Sequence, residues 1–331
     1  MSSANRIHCE FAILGAGALG SILGAHLARA GRSVVMLARG NRARQIQSDG
    51  LRIAGLGQFS IAVPTLTNPA ELGSANVLVV ATKTPGTAEA LNRLRHVKIG
   101  TAFSVQNGTL KDELLADAFG AERTLGCLAD TSGETANDGT VVFTRNVNIL
   151  LGELSGESGT RAAELARVID AAGVRATAVR DIRSLEWSKF AVWVGLVVLS
   201  VTTREVSWRF LSDPGSARVL VRLTREMGQL AGALRIPLTD HAVLPAASLC
   251  LASEQQATER VVAIGHEFER NAPGHRMSSL QDIEAGRPLE IHETLGYALR
   301  EGQRLGVALP LIDSCYQLLS ALERMRAGNP G

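Results

Sequence analysis

An ammonium group is costly to bury without a partner, so a lysine inside an apolar run calls for a chemical reason. Lys189 sits in such a run, Glu186-Trp187-Ser188-Lys189-Phe190-Ala191-Val192-Trp193-Val194-Gly195-Leu196-Val197. Read as a helix that the lysine opens, this run sets Lys189, Trp193 and Val197 at i, i+4 and i+8, on one face. A lysine snorkelling out of a first turn would account for the same pattern without any chemistry. A second polar group follows a strand-like run, as Gln106-Asn107-Gly108; a plain Asn-Gly turn explains it equally well. The third stretch runs from Met277-Ser278-Ser279 through Gly286-Arg287-Pro288 to Glu290-Ile291. Gly-Arg-Pro breaks one helix and is expected to land Glu290 in the first turn of the next. That helix should continue through Tyr297 to near Gly306, and its dipole would favour an acid at its start.

The element that must position these groups lies at the other end of the chain. An apolar run at residues 11–14 leads into Gly15-Ala16-Gly17-Ala18-Leu19-Gly20; a helical pattern to Ala30 follows, then a second apolar run at residues 34–37. In a dinucleotide-binding turn Gly15 makes the bend, Gly17 lets the backbone touch a pyrophosphate, and Gly20 lets the helix pack on the strand. The helix start then offers unpaired N–H groups to the phosphates. The tip of the second strand selects the cofactor: an acid there suits the ribose 2′-hydroxyl of NAD, whereas arginine suits a 2′-phosphate. This chain has Arg39, then Gly40, Asn41, Arg42 and Arg44, with no acid before Asp49. The expected cofactor is therefore NADP(H).

After Arg39 the pattern alternates between strand and helix. Strands are expected at residues 77–81, 101–105, 124–128 and 174–179, with helices at 84–94, 110–119 and 158–172. Thr109, with Asp112 three residues on, reads as the start of the second of these helices. Residues 130–139 read as a polar loop, and 140–144 with 148–151 as an antiparallel extension. The strand ends bring Lys83 and Asn107 to the side where open α/β sheets take their ligands. From Asp181 onward the patterns are helical only. The expected organisation is a Rossmann-type α/β dinucleotide-binding domain over residues 1–181, followed by an all-helical substrate or dimerisation domain over 182–331.

Composition excludes several function classes. With 46% hydrophobic and 20% charged residues and a net charge of +2, the chain has no basic field for nucleic acid or anionic membrane. Residues 1–10 contain no signal-peptide core, and the apolar run 190–201 is too short to span a bilayer. The four cysteines (9, 127, 250 and 315) are isolated and read as small buried residues, and a reduced, cytoplasmic setting follows. No histidine pair has ligand spacing, so no metal is expected, and no G-x-S-x-G supports serine hydrolysis. Residues 328–331 form a short Gly/Pro tail.

The chain resembles the ketopantoate reductase (2-dehydropantoate 2-reductase) family over nearly its whole length. The glycine turn, Arg39, Thr82-Lys83, Gln106-Asn107-Gly108 and Trp187-Ser188-Lys189 carry the likeness. So, most specifically, does the stretch from Ser278 through Asp282-Ile283-Glu284-Ala285-Gly286-Arg287-Pro288 to Glu290-Ile291. The resemblance implies an active site between the two domains and NADPH-dependent reduction of a 2-oxo acid to a 2-hydroxy acid. It implies Lys189 as general acid, Asn107 as the residue that helps position it, Ser278 as a substrate contact, and Glu290 near cofactor and substrate. Lys83, Asn107, Gly108 and Glu290 join Gly15, Ala16, Gly17, Ala18, Leu19, Gly20 and Arg39 as implied cofactor contacts.

The family carries asparagines four and eight residues after the lysine; this chain has Trp193 and Val197. His292 stands where the family usually has Asp. Losing two amides from the lysine's face implies a more apolar, reshaped pocket lined by Trp193 and Val197, and a substrate other than ketopantoate. A genuine 2-dehydropantoate 2-reductase of pantothenate biosynthesis is the alternative within the class. A non-catalytic NADP-binding redox sensor is the alternative outside it. The expected partner is a small carbonyl compound. A homodimer is compatible with this organisation.

Overall fold

The computed structural model describes residues 6–157 and 159–327. Ser158, expected to open a helix, the tail at 328–331, and residues 1–5 of the N-terminal stretch lie outside the described residues. The chain divides into two compact units, one running to Arg183 and one from Ser184.

The first unit contains β1 (Ile7–Leu14), α1 (Ala18–Arg29), β2 (Val34–Leu37), α2 (Gly40–Asp49), β3 (Leu51–Gly55), β4 (Phe59–Ile61), β5 (Thr65–Leu66), β6 (Leu72–Val80) and α3 (Thr87–Asn92). It continues with β7 (Lys98–Ser104), α4 (Leu110–Phe119), β8 (Leu125–Thr135), β9 (Val141–Glu153), α5 (Thr160–Ala171) and β10 (Ala176–Ala178). Five strands form a parallel sheet in the order β5-β2-β1-β6-β7. Its register pairs Phe11 with Val34 on one side and with Val77 on the other. The order reverses between β1 and β6, which is where a doubly wound sheet opens its ligand crevice.

A second sheet runs β10-β9-β3-β4, with β8 antiparallel to β9. Helix α1 is buried continuously from Gly20 to Leu27. One core joins its Ile22, Leu23 and Leu27 to Phe11 and Ile13 of the parallel sheet and to Val141, Phe143 and Ile149 of the second sheet. A helix covered on both sides has no solvent face to keep polar. Alternate residues of β1, Ala12 and Leu14, enter a separate core on the other face of the parallel sheet.

Several local expectations change. The expected loop at 130–139 is strand as far as Thr135, because Leu125–Thr135 ladders onto β9 over its whole length. Its polar residues sit on a hairpin with one solvated face, and two register shifts, at Asp130/Thr131 and Ser132/Gly133, disturb the alternation. The two strands expected at 140–144 and 148–151 are one, β9. Thr109 does not cap α4 with its side chain; its Oγ1 is buried without a hydrogen-bond partner, and Asp112 instead takes the Lys111 ammonium at 2.7 Å. Helix α3 begins only at Thr87, after Gly86 at φ +79°. The basic residues after Arg39 lie in a helix, α2. Cys9 and Cys127 are buried and Cys250 and Cys315 half-buried, all four with free thiols; burial pushes the Cys9 thiol up to about 11.

The second unit is helical: α6 (Ile182–Thr203, which starts just before the division), α7 (Ser207–Ser212), α8 (Pro214–Ala233), α9 (Ala246–Leu251), α10 (Glu254–Asn271), α11 (Ser278–Glu284), α12 (Leu295–Leu305) and α13 (Pro310–Ala327). Helix α6 is longer than its apolar run suggested. Its 22 residues include an 18-residue stretch of mean hydropathy 1.4 and could cross a membrane by length and composition, yet 72% of that stretch is buried in protein. It packs against α8 closely enough that a Cβ on Gly195 would lie 3.1 Å from Leu220 Cγ.

His26 on α1 lies edge-on to Phe59 and Phe143, with ring centroids at 5.1 and 5.5 Å. Its Nδ1 is 3.0 Å from the Ala172 carbonyl, and its Nε2 is buried with no partner. Burial, and then the nearby Arg29 charge, lower its pKa from 6.5. The folded state therefore holds His26 neutral, while the unfolded chain protonates it below about 6.5. The unfolded state then binds the extra proton, so this contribution to stability is complete above that pH and is lost as pH falls. Urea unfolding from pH 8 to 5 should show the decline in wild type and a flatter profile in His26→Gln.

Candidate active site

The glycine turn follows from close backbone approach at the β1–β6 junction. The Ala81 N–H donates to the Leu14 carbonyl at 2.8 Å, and the Gly15 N–H to the Leu37 carbonyl at 3.0 Å. Gly15 has φ +105°, and a Cβ there would lie 2.7 Å from Thr82 N. A Cβ on Gly20 would lie 2.0 Å from the Gly15 carbonyl oxygen. Gly17 differs from both: the nearest atom to its absent Cβ is the Ala81 carbonyl oxygen, at 4.0 Å. Two glycines are thus needed for packing, and the third leaves the turn open. No side chain caps α1, so its first N–H groups suit an anion. This open cradle fits the pyrophosphate of a dinucleotide.

Three arginines follow the tip of β2, and they differ in availability. Arg44 donates to Asn41 Oδ1, and Arg42 is taken up by backbone and side-chain acceptors. Arg39 is exposed and has no hydrogen-bond or ion-pair partner among the described residues. The first acid after it, Asp49, ends α2, roughly 15 Å along a helix of that length.

At the ends of β6 and β7 the buried side chain is Gln106. Its Nε2 donates to the Thr82 carbonyl at 3.0 Å and to Thr87 Oγ1 at 2.7 Å, and its Oε1 accepts from Ser104 Oγ at 2.9 Å. Gln106 ties the two loops together. Asn107 and Gly108 beside it are half-buried, with Gly108 at φ +82°, and Lys83 is exposed. Gly15 to Gly20, Lys83, Asn107 and Gly108 therefore all lie at the carboxyl edge of one parallel sheet.

In the helical unit Lys189 does not open its helix. It lies seven residues past Ile182, beyond a first turn, so terminal snorkelling does not explain it. Its Nζ sits 5.8 Å from the centroid of the Trp193 ring, within cation–π range. Lys189, Trp193 and Leu196 are half-buried, whereas Val197 turns inward at 5% exposure. The open part of the stripe thus passes over Leu196, which the i+8 spacing missed.

Further along the stripe, Ser200 Oγ lies 2.7 Å from Ser279 Oγ and donates to the Val197 carbonyl at 3.1 Å. That pair, fully buried at Ser200, fixes the start of α11 and half-buried Ser278 with it. Ser188, also buried, donates to the Ser184 carbonyl at 2.5 Å and accepts from the Thr239 N–H at 2.7 Å, docking the loop after α8. These serine hooks escaped sequence reasoning, since single serines in apolar runs carry no periodic signal.

The turn after α11 is a Schellman motif. Gly286 at φ +68° lets the Arg287 N–H reach the Asp282 carbonyl at 2.8 Å and the Gly286 N–H reach that of Ile283 at 3.3 Å. Arg287 Nε donates to Asp282 Oδ1 at 2.8 Å, so this arginine is structural. Glu290 does not lie in a helix. Helix α12 starts at Leu295, and the Glu290 carbonyl accepts from Thr294 Oγ1 at 2.7 Å and from its N–H at 3.1 Å. The dipole account of this acid therefore lapses. Glu323 of α13 accepts the Leu289 N–H at 2.6 Å and holds the segment. Tyr297 packs on Phe190, the neighbour of Lys189, with ring centroids 6.1 Å apart. Glu293, not anticipated, has a buried Oε2 without a hydrogen-bond partner, and burial raises its pKa.

A Rossmann-type sheet with an open glycine turn, followed by an all-helical unit that carries a lysine on an apolar helix, defines a nicotinamide-dependent oxidoreductase. Residues 11–156 match the family profile "Ketopantoate reductase PanE/ApbA", and residues 181–323 match its C-terminal companion. The chain belongs to the ketopantoate reductase family. The 2-dehydropantoate 2-reductase of Archaeoglobus fulgidus is 26% identical, the alignment covering 94% of this chain and 97% of that one. The crystal structure of 2-dehydropantoate 2-reductase from Geobacter metallireducens GS-15 superposes with TM-score 0.79 at 27% identity, covering 96% and 100% of the two chains. A ternary structure of D-mandelate dehydrogenase with NADH and anilino(oxo)acetate has TM-score 0.81 at 18% identity over 96% and 99%, a likeness of fold. Members of the family are NADPH-dependent.

Gly20→Ala tests the backbone constraint. The added methyl meets a carbonyl rather than a mobile side chain, so a loss of ~1–3 kcal/mol is expected. Urea denaturation at constant pH measures it, and Gly232→Ala in α8, with no atom near its Cβ and no positive φ, controls for glycine replacement in general.

Proposed function

We propose that this protein is an NADPH-dependent reductase of a 2-oxo acid or related ketone other than ketopantoate, with Lys189 as general acid. Residues 1–181 hold the cofactor through Gly15 to Gly20, Arg39, Lys83, Asn107 and Gly108, and residues 182–331 bring the substrate groups. The carrying observation is the Lys189 ammonium over the Trp193 ring at 5.8 Å, where the family has an amide. When bound, the dihydronicotinamide supplies the hydride. Negative charge then develops on the carbonyl oxygen, and the Lys189 ammonium stabilises that charge and donates its proton from Nζ. Asn107 orients the lysine, Ser278 binds the substrate, and Glu290 acts near both substrate and cofactor. The indole offers a flat apolar wall that suits a bulky or aromatic substituent. A cytoplasmic location and a homodimer belong to the same reading.

The names of the relatives favour a second reading, reduction of ketopantoate itself. NADPH oxidation with ketopantoate and with 2-oxo acids of rising size separates the two. Efficient turnover of ketopantoate defeats the substrate shift, and no turnover of any ketone defeats the enzyme. With a ketone in hand, Lys189→Ala should lower turnover ~10²–10⁴-fold while NADPH affinity holds; an undiminished rate would return the lysine to a structural role.

Trp193→Asn with Val197→Asn restores the family's pair of amides. The double variant should gain ketopantoate reduction and lose activity on a bulkier ketone. Val197 is buried, so its amide carries a cost of ~1–3 kcal/mol. Half-buried Trp193 should cost less than the ~3–5 kcal/mol of a fully buried aromatic. Loss of stability beyond that sum, with no gain on ketopantoate, would mark Trp193 as core.

A further inference from the structure

Arg42 lies in the first turn of α2 and is half-buried, yet its partners are all neutral and belong to three separate elements. Its Nε donates to the Ala16 carbonyl at 2.9 Å, its Nη2 to Ser21 Oγ at 2.8 Å, and its Nη1 to the Gly139 carbonyl at 2.6 Å and to Gln45 Oε1. Ser21, fully buried, donates its own hydroxyl to the same Ala16 carbonyl at 3.1 Å. Two donors thus occupy one oxygen in the middle of the glycine turn. A trans peptide is planar, with its C=O and N–H opposed. Pinning the Ala16 oxygen therefore fixes the direction of the Gly17 N–H, at the residue whose Cβ side is open.

The far end of the clamp is the turn between β8 and β9, which holds itself without Arg42. Its Ala136 N–H donates to the Thr140 carbonyl at 2.8 Å, and the Thr140 N–H to Asp138 Oδ1 at 2.9 Å. Arg52 adds an ion pair to Asp138 at 3.6 Å. Gly139 has φ +81°, and a Cβ there would lie 2.6 Å from Gln45 Oε1 and 3.1 Å from Arg42 Nη1. The positive φ favours glycine, and a side chain there would push Gln45 and the guanidinium from their places.

We infer that Arg42 is a positioning residue for the cofactor: it fixes the pyrophosphate-binding turn against the second sheet, and the hairpin at Gly139 is its anchor. The inference rests on the NADP(H) reading above. Arg42 does not face the 2′-phosphate; that role falls to Arg39. The two arginines therefore separate in experiment. A planar fork is needed to bridge Ala16, Ser21 and Gly139 at once, and an ammonium on a flexible stem cannot do so.

The test titrates NADPH and NADH by fluorescence into Arg42→Met, Arg42→Lys, Gly139→Ala, the double variant Arg42→Met/Gly139→Ala, and Arg39→Asp. Amide exchange over residues 15–21 is followed in each chain without cofactor. Arg42→Met should raise both dissociation constants by about 10-fold or more, the scale of a lost charged hydrogen bond, leaving their ratio unchanged. Arg42→Lys should stay weakened, and Gly139→Ala should reproduce the defect in weaker form. The double variant should match Arg42→Met, because both changes break one linkage. Exchange at residues 15–21 should quicken in all four, while Arg39→Asp changes the NADPH-to-NADH ratio and leaves exchange alone. Unchanged exchange in Arg42→Met, full rescue by lysine, multiplying effects in the double variant, or a changed cofactor ratio in Arg42→Met would each overturn the inference. A wild-type chain that binds neither dinucleotide would overturn the cofactor reading and this inference's binding arm with it, the exchange arm still deciding whether Arg42 holds the turn.

Discussion

The first unit is built around a backbone contact that tolerates no side chain. Gly15 and Gly20 meet each other and the Ala81–Thr82 backbone at distances where a methyl group cannot stand. That contact sets how deeply α1 enters the carboxyl end of β1, and hence where its uncapped N-terminus points. With α1 so placed, its other side is free to take the second sheet, and the helix becomes apolar all round. The open cradle at Gly17 follows from its two crowded neighbours. Close packing falls to two glycines of one turn, and the open space to the third.

The helical unit meets a different constraint, a buried helix that must still present a charged group. Helix α6 solves it with polar hooks at intervals. Ser188 engages Thr239 and Ser200 engages Ser279, both largely out of water. A hydroxyl can satisfy itself on its own helix carbonyl while bonding a neighbour, and both serines do this. The hooks fix the loop after α8 and the start of α11 without adding charge to the core. Lys189 is then the one cation of the apolar stretch, and its ammonium lies beside an indole face.

What the sequence disclosed depended on whether a signal was local. Strands β1 and β2, α1 and the glycine turn were legible because continuous apolar runs and fixed glycine spacing are local facts. The pairing of β8 with β9 was not, since polar residues of a half-solvated hairpin look like loop until the partner strand is known. Strands β3, β4 and β5, of five, three and two residues, are too short for periodicity to register. Of the proposed site residues, Lys189, Asn107, Ser278 and Glu290 were given their roles by motif resemblance. Their settings were not visible: Glu290 lies outside any helix, and Val197 turns inward while Leu196 stays half-exposed. Arg42 illustrates the limit best. A basic run after a strand tip gives no hint that one arginine is consumed by the fold and its neighbour left open.

The two departures from the family pattern carry unequal weight once their surroundings are known. His292 turns to α13, with Nδ1 2.9 Å from the Tyr316 hydroxyl and Nε2 3.8 Å from Glu323 Oε2. The same Glu323 carboxylate accepts the Leu289 N–H, one residue before Glu290. The histidine therefore belongs to the scaffold that holds the Glu290 turn, and its exchange for an acid changes how that turn is braced. Trp193 instead shares the stripe of the lysine and lies against its ammonium. In the reading proposed above, a change on that stripe alters what a carbonyl compound beside Lys189 would touch, whereas a change at His292 acts on the Glu323 brace. The proposed change of substrate therefore traces to α6, and within α6 to Trp193 more than to the buried Val197.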